Sequence, residues 1–247
     1  MPQVATQSIT KSSMRGDDCA PATRVTKSLL GYGIIAGPYY VAAWLIQAAT
    51  RSGFNLTRDA ASLLSNGDLG WIQVTNFLLT GVMVIVAAVG FRRVLAGEGS
   101  IRSIGWLVGL LGVGMLGAGM FKPDPSYGFP AGAPSGAPIT TTTHGNLHLI
   151  FGSLGFLGLI VATFVFAAWL HRRGERTLAR LSVFSGAFFL ATDLSGVFLA
   201  AHHEVAYTLT LTAGILVGFA WLTWSSVHLY RMVSQSSIPA SSMQVTS

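Results

Sequence analysis

The chain has 247 residues, of which 51% are hydrophobic and only 10% charged, far below the roughly 25% charge of an ordinary soluble domain. The net charge of +6 comes in short basic clusters beside apolar runs, a pattern that marks membrane topology and argues against a nucleic-acid partner. A single cysteine, Cys19, excludes an intrachain disulfide, a CxxC motif and a thiolate metal site.

Residues 1–27 form a polar segment rich in Ser and Thr. The apolar run that follows starts too late and runs too long for a typical cleaved signal peptide, so it reads as an uncleaved first span. Crossing the hydrocarbon takes about 20 apolar residues in a helix, and six segments meet that length: 28–50, 71–91, 103–121, 146–170, 181–201 and 207–230. The expected fold is an all-α membrane protein, a compact bundle of six transmembrane helices over 28–231. A polar tail precedes it and a disordered one, 232–247, follows.

Span 1 contains Pro38, which removes a helical hydrogen bond and predicts a kink. Small residues recur four apart at Gly33 and Gly37, Gly105 and Gly109, Ser182 and Gly186, Thr192 and Gly196, and Gly214 and Gly218. That spacing lets helix backbones approach closely, within one chain or across a homo-oligomer.

Between spans 1 and 2, RSGFNLTRDAASLLSNGDLG (51–70) puts Leu56, Ala60, Leu63 and Leu64 on one helical face, with Thr57 as cap and Asn66-Gly67 as stop. The expectation is a short outer amphipathic helix. Arg58, Asp59 and Ser62 lie on its polar side, with Arg51 and Asp68 at its ends, and Arg58 and Asp59 read as a solvated face. Asn55-Leu56-Thr57 fits a glycosylation acceptor, a match too short to carry weight without a eukaryotic lumenal context. Gln73 and Asn76, one turn apart at the start of span 2, either bind a polar ligand or hydrogen-bond between helices, the more ordinary use.

Arg92, Arg93 and Arg102 lie between spans 2 and 3. After span 3 comes KPDPSYGFPAGAPSGAPITTTTHG (122–145), with five prolines and four glycines. A loop of this length is either functional or disordered; Tyr127, Phe129 and Pro130 could fold it as a lid across the bundle mouth. His144 and His148 open span 4 on one helical face. Span 4 ends in HRR (171–173) as span 2 ends in FRR (91–93), a weak hint of a duplicated hairpin. Span 5 contains Asp193, roughly 12 Å below the following turn at about 1.5 Å per residue. A carboxyl within a span is costly unless paired, protonated or functional. His202, His203 and Glu204 occupy that turn. His171 and His228 read as ordinary interfacial residues.

Lys and Arg accumulate on the cytoplasmic side, and the alternating connections divide them twelve to three. Both termini are therefore expected in the cytoplasm. Arg51, Arg58, Lys122 and the cluster His144, His148, Asp193, His202, His203 and Glu204 then share the outer side. His144, His148, Asp193 and His202 are the candidate metal ligands, although zinc usually needs three or four protein ligands.

Arg51, Gly53, Ser62, Leu63, the run Gly70-Trp71-x-Gln73-x-x-Asn76-Phe77, Asp124-Pro125, Gly128-x-Pro130 and the two histidines carry a resemblance to a bacterial six-span family catalogued as domain of unknown function 998. It extends over about 28–230 and implies a multi-pass protein of the bacterial plasma membrane, with no reaction to transfer. The favoured function is an outward polar pocket, formed by Arg51, Arg58, Ser62, Gln73, Asn76 and the His/Asp/Glu cluster, that binds a membrane lipid or another amphiphile. Three other classes stay open. A zinc-dependent intramembrane hydrolase would use metal-activated water, a one-haem cytochrome would pair histidines such as His148 and His202, and a small transporter would couple protons through Asp193.

Overall fold

The structure, a computed structural model, describes residues 19–138, 140–199 and 204–235. Six helices follow one another: α1 Cys19–Thr50, α2 Gly70–Val94, α3 Ser103–Met120, α4 Thr143–Arg172, α5 Arg176–Leu199 and α6 Glu204–Gln235. All six are long and apolar enough to cross a membrane, and the chain is an all-α membrane protein. Outward-facing Ile46, Trp106 and Phe184 give it an apolar belt that contacts lipid. The first helix begins well before the apolar run, at Cys19, and the last continues to Gln235. The outermost parts of both predicted tails lie outside the described residues.

Successive spans cross in opposite directions, so sequence neighbours pack antiparallel. Each helix lies against the next, and α6 returns to α1, so the six close into a ring. One end carries the connections 51–69 and 121–142 and is called the loop face here; the other carries the arginine-rich connections. Toward the arginine face the ring is filled by Phe166, Trp169, Trp221 and Leu222. Ser182 on α5 ties three helices there, accepting from Trp221 Nε1 at 2.8 Å and donating to Thr163 O at 2.7 Å.

Small residues sit where backbones come closest, within the chain. A Cβ on Gly37 would lie 3.0 Å from Thr223 Oγ1, and one on Gly114 would lie 2.8 Å from Gly155 Cα. Pro38 lies inside α1, which continues to Thr50. Its missing N–H leaves Ile34 O without its helical donor, and Thr223 Oγ1 on α6 donates to that carbonyl at 3.4 Å. A neighbouring hydroxyl is the expected replacement where water is absent.

The segment after α1 departs from the predicted amphipathic helix. Asn55 Oδ1 accepts from Thr57 N and Oγ1, and Asp59 Oδ2 accepts from Asn55 N at 2.7 Å. These side chains compete for the amides an α-helix would use. Only a 3-10 helix, Ala61–Ser65, forms, with Ala60 rather than Thr57 before it and Asn66 after it. Leu56 points outward, while Ala61, Leu63 and Leu64 are buried. Asp59 is no solvated residue either: it is 1% exposed and paired with Arg58 Nε at 2.8 Å.

The second loop is folded down. Phe129 is buried with Trp44, Leu63 and Leu64, on a tight turn in which Tyr127 and Gly128 both have positive φ. Asn66 Nδ2 donates to Pro123 O at 3.1 Å, joining the two loops. Asp124 accepts from Thr142 N at 3.0 Å and Thr142 Oγ1 at 2.6 Å, pinning the loop ends together. Thr142 Oγ1 in turn caps α4 by accepting from Gly145 N.

Candidate functional site

Beneath these loops the ring is not filled. A cavity of about 380 Å³ is bordered by Tyr40 and Trp44 of α1, Phe77 of α2, Met115 of α3, His148 of α4, Asp193 of α5 and Tyr207 of α6. Ser62, Asp124 and Tyr127 form part of its roof. Its volume falls in the range of about 300–1,000 Å³ usual for ligand sites, and its wall is mostly apolar, as theirs are.

On one stripe of α4 the cavity wall reaches the outer surface. Leu149, Phe156 and Thr163 are seven residues apart and so share a helical face. Thr163 O accepts from Ser182 of α5, and Phe156 meets Phe189 of α5 at 5.2 Å between ring centroids. Leu149 borders the cavity and is 55% exposed; Ser153, one turn along, is also exposed and borders it. On this stripe, contacts with α5 give way to exposed residues toward the loop face. There α4 follows α3 through Gly114 and Gly155, whereas α5 follows α6 through Ser195 Oγ, which donates to Thr210 Oγ1 at 3.1 Å.

The two α4 histidines divide their work around Phe121. His148 is buried, and its Nδ1 lies 3.0 Å from Ala118 O and 2.8 Å from Phe121 O. Two carbonyls can only accept, so Nδ1 carries the hydrogen. The ring satisfies the end of α3, where carbonyls lack helical donors. His144 is exposed and packs on the Phe121 ring at 5.6 Å. It does not border the cavity.

Asp193 makes no hydrogen bond or ion pair among the described residues. Tyr207 lies within electrostatic range of Asp193 and of Tyr127. Arg51 is committed elsewhere, its Nη1 and Nη2 donating to Leu64 O at 2.9 Å and Asn66 O at 2.7 Å, with the guanidinium over the Phe129 ring. Arg58 pairs with Asp59, and its carbonyl accepts from Thr208 Oγ1.

Gln73 and Asn76 tie α2 to α1 behind the cavity wall. Gln47 Nε2 donates to Gln73 Oε1 at 2.8 Å, and Asn76 Nδ2 donates to Tyr40 O at 3.1 Å. His202 and His203 lie outside the described residues. Glu204 begins α6, and its side chain lies outside them too. Of the candidate metal ligands, His148 and Asp193 border the cavity, and no group of three His, Cys, Asp or Glu side chains placed to hold a metal occurs among the described residues.

The model of the family described as "Protein of unknown function (DUF998)" matches residues 34–228. The chain belongs to that family. The match takes in α2 to α5, both loops and most of α1 and α6. No curated protein and no solved structure matches the chain.

Proposed function

We propose that this DUF998 protein holds a lipid or another amphiphile in the loop-face cavity. The observation that carries the reading is an apolar cavity whose α4 wall residues Leu149 and Ser153 are exposed, which we read as a mouth on the α5 side of α4. A molecule with an acyl or alkyl chain can enter such a mouth from the hydrocarbon. Its head then meets the few polar groups under the loops. In this reading the loop face is external, the termini are cytoplasmic, and the chain resides in the plasma membrane. The twelve-to-three division of Lys and Arg supports that orientation.

The test uses the whole chain purified in mild detergent from the membranes in which it is made, with its organic extract compared with bulk membrane lipid. One amphiphile class should be enriched, and Ser153→Trp, which places an indole in the mouth, should reduce it. Extracts that match bulk lipid in both proteins would overturn the reading.

A further inference from the structure

The polar groups around the cavity are unequal in sign and in hydrogen-bonding character. Two carboxylates, Asp124 and Asp193, border it, and no Lys or Arg does so among the described residues. Asp124 is engaged by Thr142. Asp193 has no hydrogen-bond or ion-pair partner among the described residues, although a carboxylate within a membrane span is costly without a partner.

His148 adds a second, independent observation. It is 7% exposed, and Nδ1 is held as the donor to two carbonyls. In the neutral ring Nε2 is then an acceptor, and it finds no donor among the described residues. The side chain borders the cavity. Tyr40, Trp44, Tyr127 and Tyr207 add aromatic rings to the same wall, and ring faces attract ammonium groups most strongly where water is excluded. A phosphate or carboxylate head placed here would lose its hydration without gaining a counter-charge from these residues.

We infer that the cavity selects amphiphiles with a cationic amine head over those with an anionic head. Asp193 supplies the counter-charge, His148 Nε2 accepts a hydrogen bond, and the aromatic wall surrounds the ammonium. The inference rests on the amphiphile reading and narrows it to one head-group chemistry.

The experiment titrates the whole chain in nonionic detergent at neutral pH with dodecylamine, dodecanol and dodecanoate, and reads occupancy by native mass spectrometry. Dodecylamine should bind at least about tenfold more tightly than dodecanoate, a modest difference of about 1.4 kcal/mol, with dodecanol between them. Asp193→Asn should bring dodecylamine to the level of dodecanol and leave dodecanol nearly unchanged. Dodecanoate binding as well as dodecylamine to the wild-type chain would overturn the inference, and that comparison requires no variant to fold. An amine preference that survives Asp193→Asn would overturn the role of Asp193. If dodecanol and dodecanoate bind without an amine preference, the amphiphile reading stands and the head-group inference falls. If none of the three binds, both fall.

Discussion

Replacing Arg51 by Lys and by Ala measures how firmly the cavity roof is held. The guanidinium donates to Leu64 O and Asn66 O from two different nitrogens and lies 5.1 Å from the centre of the Phe129 ring. It therefore joins the end of α1, the 3-10 helix and the second loop. A hydrogen bond to a charged group contributes about 1.5–3 kcal/mol, and a cation–π contact at an exposed site about 0.5–1 kcal/mol. The half-exposed position places each contribution at its lower end. Arg51→Ala should thus destabilise the fold by about 3–4 kcal/mol, leaving two carbonyls without their donor. Arg51→Lys keeps the charge but loses the planar fork and should cost about half as much. Reversible unfolding in mixed micelles would measure both, and labelling of a cysteine at Ser135 would report loosening of the second loop. Both variants within about 0.5 kcal/mol of wild type, the range of an uninvolved surface substitution, would refute the roof role of Arg51.

Topology is checked in intact cells: Ser135→Cys should react with an impermeant maleimide and Ala96→Cys should not, and the reverse pattern would invert the orientation. Thr223→Val deletes the hydroxyl facing Ile34 O and should cost about 0.6–1.7 kcal/mol, the scale of interhelical hydrogen bonds in membranes. With Pro38→Ala restoring the amide, the same change should cost less. Equal costs in the two backgrounds would show that the hydroxyl does not compensate for the proline.

The helices were legible because a span is defined by length and hydropathy, and both are written along the chain. Their ends were less so. Cys19–Lys27 contains two cations and three threonines or prolines before the apolar run, yet α1 already starts there, since a helix that leaves the hydrocarbon has no need of apolar residues. In 51–70 the helix is shorter than the hydrophobic spacing predicts because the amides before it are bound by Asn55 and Asp59. Spacing is a property of side-chain direction; it carries no information on which acceptor wins each N–H. The bonding of Arg51 is hidden from the sequence for a related reason. A lone arginine in a loop looks available until the carbonyls of a segment thirteen residues away are seen to face it.

The cavity wall was the least legible part. Tyr40, Trp44, Phe77 and Tyr207 carry no spacing that separates a wall residue from a core residue, because both are aromatic positions on an inward helical face. What distinguishes them is the volume left between helices beneath the loops. Close approaches elsewhere in the ring are set by small residues. Gly114 and Gly155 allow α4 to lie close against α3, and Gly214 allows α6 to lie close against Thr192 of α5. Such contacts set how much room the ring leaves beneath the loops without any residue that announces a site. His148 and Asp193 stood out in the sequence because polar groups within apolar spans are expensive, whereas the small residues that make room near them looked like ordinary packing. In this fold they are ordinary packing, and the room follows from where that packing is placed.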